Sequence, residues 1–367
     1  QIQQVPGPVK LLLTGQKGAG KSWSLQHIRE VLTPDYRVVW VTNPVAAFTD
    51  KAELEIADLL VLLCEALAGQ WKDIGWKSLV SLSTMNVELA RWIRRLNELR
   101  GLPVAPDNMD ISGAEFNLAF MKISSEMRVD SEVRKAVRKA GTTDLQIVAT
   151  HLLKALAEQG RPVLVIFDDL DKMDLASAQT LFGPQFSVLE SLPAKMVLTF
   201  PYALNFQNVL TQQREVIKNI QVFDKKGATE LRKEAIERFT ALLLKLVEPE
   251  RVEGLAVEEA VRYSAGITRE FGRIMARAFE FASLSGDPRV LLSHSQEAVT
   301  DLRVELQRAT QDAERRKGLR EVRKSNELSS ELERQLLNEN MVVEYVNGKP
   351  WYDVHPLLTD VVDGWKS

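Results

Sequence analysis

A single cysteine, Cys64, stands in 367 residues. An intrachain disulfide and a zinc site built on cysteines are therefore excluded, and one thiol fits a reducing compartment. Long apolar runs are missing as well. The richest, ADLLVLLCEALAG over 57–69, is too short to cross a bilayer and carries Asp58 and Glu65; it predicts a buried helix and no membrane partner. Net positive charge is absent. The formal charge is −3, so no global field draws nucleic acid, and any such binding has to come from a local patch. The opening QIQQVPGP lacks the basic, apolar, small-residue order of a signal peptide, and a cytoplasmic location is expected. It also lacks a methionine, which fits a processed chain or one cut from a longer protein with an N-terminal partner domain. Internal repeats, low-complexity tracts and a guanine-selective Asn-Lys-x-Asp motif do not occur.

What is present suits a globular chain of two or three domains, with 45% hydrophobic and 26% charged residues. Short, nearly continuous apolar runs at 10–14, 37–42, 162–169, 195–200 and 219–223 read as strands buried on both faces. Helix-length segments separate them, which predicts crossover connections and a mainly parallel sheet. A long, mostly helical insertion fills about 43–161, with Val133, Val137, Leu145, Val148, Leu152 and Leu156 near helical spacing and a loop at 101–113. Beyond 225 the strand signal stops and 229–285 reads as all-helical, with another helix beginning near Ser295. The section MVVEYVNGKPWYDV (341–354) predicts a hairpin turning at Asn347-Gly348, with Pro350 on an edge strand. Helices followed by a hairpin suggest a small winged-helix domain.

The chemistry concentrates in two stretches. GQKGAGKS (15–22) follows the first apolar run and matches G-x-x-x-x-G-K-[ST] in full. Gly15, Gly18 and Gly20, with Ala19 among them, let the backbone turn its N–H groups toward an anion. The helix that follows, opening with Lys21, Ser22 and Trp23, adds its positive end. Lys21 is expected to reach the β- and γ-phosphates, and Ser22 to ligate Mg²⁺. Lys17 is not needed by the motif. The second stretch, VLVIFDDLDK, is an apolar strand ending in carboxylates. Asp168 is expected to hold Mg²⁺, and Asp169 to polarise the attacking water as general base. Thr199 ends the next strand and its hydroxyl can position water, or it is an ordinary strand residue. Arg269, in SAGITREF, follows a turn at Gly266, with Thr268 as a candidate cap; it is a candidate for reaching back to the γ-phosphate.

Together, GQKGAGKS, VLVIFDDLDK, a strand ending in Thr199, GITRE in a helical lid and a terminal winged helix resemble the AAA+ and STAND branches of P-loop ATPases. The nearest groups are the origin-recognition-like and bacterial conflict-system (KAP-like) ATPases. Two features depart from those patterns: Asp169 stands where AAA+ proteins usually carry Glu, and GIT lacks the Gly-x-Pro usual in STAND lids. The resemblance implies an α/β P-loop core over 1–225 with the helical insertion, a helical lid over 226–290 and a winged helix over 291–367. It implies Mg-dependent ATP hydrolysis, nucleotide between core and lid, a homo-oligomer or a complex with an effector, and a role in bacterial antiviral defence. It also implies a helix after the fourth strand on which Arg214 would face a neighbouring subunit's nucleotide, a contribution worth roughly 10³ to 10⁵ in rate where it operates.

A winged helix suggests DNA, but the charges disfavour it. The candidate recognition helix (326–340) carries Glu327, Glu331, Glu333 and Glu339 against Arg334. The basic stretch before it, with Arg315, Arg316, Lys317, Arg320, Arg323 and Lys324, can touch a phosphate backbone or be a solvated face. Tyr345, Trp351 and Tyr352 can anchor a partner or cover the domain's own core. The alternative to an active ATPase is a non-hydrolysing scaffold or DNA-loading module.

Overall fold

The computed structural model describes residues 7–41, 44–45, 54–70, 82–103, 113–206, 212–224, 230–347 and 349–365. Two compact units emerge. One comprises Gln1–Thr14 and Ser22–Glu215; the other takes in Gly15–Lys21 together with Val216–Ser367. The phosphate-loop stretch through Lys21 thus groups with the C-terminal part of the chain.

In chain order the first unit carries β1 (Lys10–Thr14), α1 (Lys21–Leu32), β2 (Arg37–Val41), α2 (Ile56–Gly69), α3 (Leu82–Leu99), α4 (Gly113–Val129), α5 (Ser131–Ala140) and α6 (Thr143–Ala157). There follow β3 (Val163–Phe167), α7 (Leu175–Phe182), α8 (Phe186–Glu190), β4 (Lys195–Thr199) and β5 (Gln213–Val216). The sheet order is β2-β3-β4-β1-β5. The β2–β3, β3–β4 and β4–β1 pairs are parallel. Every residue of β1 and β3 is buried, as their unbroken apolar runs require of strands covered on both faces. Each Leu, Val or Phe so enclosed contributes about 1.5–3 kcal/mol relative to exposure.

The described part of the insertion is a helical layer sharing one core with the sheet. Helix α2 packs on α4, α6 and β2, and eleven of its fourteen residues are buried. The helix expected over 57–69 is therefore present. Trp92 of α3 stacks on Phe120 of α4, centroids 6.2 Å apart. Inside this layer Asp58 is wholly buried. It accepts the Glu55 N–H and pairs with Arg138 Nη2 at 2.7 Å.

Two expectations for the end of this unit fail. The fifth strand lies at 213–216, and 217–223 is irregular. The apolar side chains of NIQVF serve a different core: Val222 is buried among the helices of the second unit, with Ile220 and Phe223 packed against it. Its backbone bonds match, since Ile220 N donates to Gly266 O and Arg232 N to Val222 O. Arg214 accordingly lies on β5 and not on a helix, exposed, with Nη1 3.4 Å from Asn205 O.

The second unit holds α9 (Lys233–Leu243), α10 (Gly254–Tyr263), α11 (Thr268–Ser285), α12 (Leu292–Arg308), α13 (Ala313–Ser325) and α14 (Glu331–Asn338). It closes with β6 (Val342–Asn347), β7 (Lys349–Val354) and α15 (Pro356–Asp363). Helices α10, α11 and α12 pack on one another, around Phe239, Val261, Phe271 and Ile274. Strands β6 and β7 pair antiparallel, Glu344 opposite Tyr352; the turn residue Gly348 lies outside the described residues. Tyr345 and Tyr352 are buried, and Tyr345 stacks on Trp351 with centroids 4.3 Å apart, so these aromatics cover the unit's own core. Among the described residues, no helix is long and apolar enough to cross a membrane.

Candidate functional site

In the first unit the carboxyl ends of three neighbouring strands come level. Leu13 of β1 lies opposite Thr199 of β4, and Leu198 opposite Phe167 of β3. In an open α/β sheet this is the edge at which ligands bind. Ser22 and Asp168, 146 residues apart, meet here: Ser22 Oγ lies 3.3 Å from Asp168 Oδ1. Asp168 is buried. Burial pushes its carboxyl above the usual carboxylate range, and the neighbouring Asp169 and Asp171 add to that, while the Asp169 N–H and Ser22 hydroxyl offset part of it. A desolvated carboxylate beside two others is where a hard cation relieves the most repulsion. A hydroxyl and one carboxylate are also the sparse oxygen donors that Mg²⁺ accepts while keeping waters and phosphate oxygens. The residues present therefore fit that ion. Among the described residues, no group of three or more His, Cys, Asp or Glu side chains forms a self-sufficient metal cage.

The turn after β3 is tightly specified. Asp169 sits at φ 68°, in the left-handed region, a conformation that costs a non-glycine residue of order 1 kcal/mol and persists only under constraint. Three contacts supply the constraint. Asp169 N donates to Asp168 Oδ1 at 2.8 Å, Lys172 N donates to Asp169 O, and Lys172 Nζ pairs with Asp169 Oδ1 at 2.6 Å. Thr199 is fully buried. Its Oγ1 accepts the Leu170 N–H at 2.9 Å, so its hydroxyl holds the turn that carries Asp169. Trp23, on the first turn of α1, is 70% exposed and stacks on His27.

In the second unit the glycine-rich stretch forms a closed cradle. Gly15 (φ 149°) and Gly18 (φ 87°) have backbones that only glycine adopts readily here. A Cβ at Gly15 would lie 2.3 Å from Ile217 O, and one at Gly18 would lie 2.6 Å from Arg269 Cβ. Gly20 shares the positive φ. Ala19 N donates to Gln16 O. Lys21 Nζ is folded back on the cradle's own carbonyls, 2.7 Å from Gly15 O and 2.9 Å from Gln16 O. Arg269 adjoins the loop directly, its N–H donating to Gly18 O at 3.2 Å, with the side chain exposed. Ile267, not Thr268, is the N-cap of α11.

Two residues outside the sequence-based set belong to this description. Lys172 follows the acidic pair and betrays itself only by its i+3 spacing from Asp169. Gln16 occupies a position the motif leaves open, and nothing in its local sequence marks it.

Residues 4–184 match the AAA ATPase domain family. No curated protein matches the chain in sequence. Among solved structures, it is similar to Cdc6p from Pyrobaculum aerophilum, with 13% identity and a TM-score of 0.39 over 98% of this chain and 88% of that one. It is also similar to the Aeropyrum pernix ORC1 protein in complex with DNA, with 11% identity and a TM-score of 0.39 over 99% and 89%. A third likeness is to the Aeropyrum pernix ORC2 protein in its ADPNP–ADP complexes, with 11% identity and a TM-score of 0.41 over 97% and 87%.

Proposed function

We propose that this chain, whose residues 4–184 match the AAA ATPase domain family, is a nucleotide-binding P-loop ATPase that hydrolyses Mg-ATP as a switch governing assembly with further copies or an effector. The observation that carries this is the meeting of Ser22 and Asp168, which brings the end of the glycine motif to the acidic strand end. In this reading the amides of Gly15, Gly18, Ala19 and Gly20 take the phosphate oxygens, and Lys21 exchanges its two carbonyl partners for β- and γ-phosphate oxygens. Ser22 and Asp168 hold Mg²⁺, which supplies charge neutralisation at the phosphates. Trp23 borders the bound nucleotide. Asp169 accepts a proton from water as its oxygen bonds to the γ-phosphorus and the bond to the β–γ bridging oxygen breaks, leaving ADP and phosphate. Thr199 acts through the turn it holds. Arg269 is the residue offered to the γ-phosphate, and Arg214, on an exposed strand, is the one offered to a neighbouring subunit.

The domain reading that accompanies this is a core to about 225, a helical lid over 226–290 and a winged helix over 291–367, which holds α13, α14, the β6–β7 hairpin and α15. DNA is disfavoured as its partner. Arg315 pairs with Glu339, Arg323 with Asp353 and Asp363, and Arg316 and Arg320 lie over the Trp365 ring. Four of the six basic groups that could meet phosphates thus have internal partners.

The test is a pair of variants. Lys21→Ala should abolish binding of a fluorescent ATP analogue, and Asp169→Asn should keep binding and stop phosphate release; normal turnover in both would remove the site. One observation favours a second reading, a switch that turns over slowly. The Asp169 carboxylate is already engaged by Lys172. Under that reading Lys172→Met raises kcat and leaves KM unchanged, whereas a fall in kcat makes Lys172 an aid to the base.

A further inference from the structure

The buried hydrogen bonds that span the most sequence converge on Gln16. Its side chain is 2% exposed. Nε2 donates to Val342 O at 2.9 Å. Oε1 accepts the Glu344 N–H at 3.1 Å and also a bond from Asn219 Nδ2. One residue further along, Lys17 O accepts from Asn340 Nδ2 at 2.8 Å. All of these residues lie in the second unit.

The pairing pattern explains why the hairpin needs this. Glu344 stands opposite Tyr352, and Tyr352 N donates away from β6, to Asn326 O. In an antiparallel ladder, opposed residues alternate between pairs that bond each other and pairs whose N–H and C=O groups point outward. Glu344–Tyr352 is an outward pair, and so is Val342–Val354, two residues along. The Gln16 amide therefore caps two of the polar groups that β6 turns away from β7, the Val342 C=O and the Glu344 N–H. Left unpaired and buried, such groups cost about 1–3 kcal/mol each.

We infer that Gln16 is a positioning residue that ties the phosphate cradle to β6, so that nucleotide occupancy and the hold on the hairpin are linked. The inference rests on the ATP-binding reading. Lys21 Nζ now holds the Gly15 and Gln16 carbonyls. Drawing it onto phosphates frees the peptide planes from which the Gln16 side chain departs, and the grip on β6 loosens. By linkage, whatever occupancy does to that grip, the grip does equally to affinity.

The Glu344 amide is the reporter, because its hydrogen bond is to Gln16. Hydrogen exchange is measured on the full chain with and without a slowly hydrolysed ATP analogue and Mg²⁺, alongside analogue affinity. Expected for the native chain is exchange at Glu344 at least about fivefold faster with analogue, the low end of ordinary coupling between sites. In Gln16→Met, which keeps the length and deletes the bonds, that amide should exchange fast in both conditions, with analogue still bound. Asn340→Gly, which keeps the left-handed backbone at 340 and removes only the bond to Lys17, should retain part of the response and serves if Gln16→Met fails to fold. An analogue-dependent change that persists unaltered in Gln16→Met, or native chain that binds analogue with no change at Glu344, overturns the inference alone. Native chain that binds no analogue overturns the ATP-binding reading and the inference with it.

Discussion

Acid should open the second unit through one histidine. His355 is buried and caps α15, with Nδ1 accepting the Leu357 N–H at 3.3 Å. That bond fixes the neutral tautomer, with the proton on Nε2. Protonation of Nδ1 would set N–H against N–H. Burial, with the Arg273 charge nearby, lowers the pKa from 6.5 to about 3. The folded chain thus keeps this ring neutral down to about pH 3, while the unfolded chain takes up its proton near 6.5. Between those values the unfolded state binds one more proton. Stability therefore falls as pH drops through 6.5 and levels off near 3. At pH 5 the loss relative to pH 7 is about 2 kcal/mol, or roughly 4–8 °C in Tm for a unit of this size. Carboxylates titrate in the same range, so the measurement is a difference. Native chain and His355→Asn, whose amide oxygen can cap the same N–H, are melted from pH 7 to 4.5. The native curve should fall more steeply. Parallel curves would show that the imidazole is not held neutral.

Three further substitutions probe other parts of the molecule. Gly18→Ala places a methyl group 2.6 Å from Arg269 Cβ at a φ of 87°; it should weaken binding of a fluorescent ATP analogue more than about tenfold, since strain of roughly 1–3 kcal/mol is imposed on the cradle. Arg138→Ala strands the fully buried Asp58 carboxylate, and urea unfolding should show a loss of about 3–5 kcal/mol. Thr199→Val deletes the acceptor of the Leu170 N–H and should cost about 1–3 kcal/mol in the same assay, with Thr199→Ser restoring most of it; a neutral Thr199→Val would mean the hydroxyl does not hold the turn.

What the sequence revealed and what it concealed divide along physical lines. The strands at 10–14, 163–167 and 195–199 were legible because a strand buried on both faces admits almost nothing but apolar residues; 37–41 is only partly buried and was legible from its β-branched and aromatic run. NIQVF has the same local character, yet Val222 joins a helical core. A short apolar run states that it is buried and not in which core, and the helix expected to carry Arg214 is absent because 213–216 is itself the fifth strand. The glycine motif was legible because its constraint is local: a positive φ and a backbone approach that exclude a Cβ. Ser22 and Asp168 could be paired in advance because each sits at the end of an element whose position the sheet fixes.

Gln16 follows the opposite logic. Its partners lie 203 to 328 residues away, most of them main-chain groups that any residue type supplies, so no spacing rule encodes them. The sequence shows an unremarkable polar residue where the motif tolerates anything. Only the fold shows two outward-facing polar groups on β6 that need a donor and an acceptor on one side chain, at a spacing an amide can span. The motif positions specify what the cradle can hold. The open position specifies what the cradle is fastened to, and two ATPases with identical motifs can differ there in what their nucleotide moves.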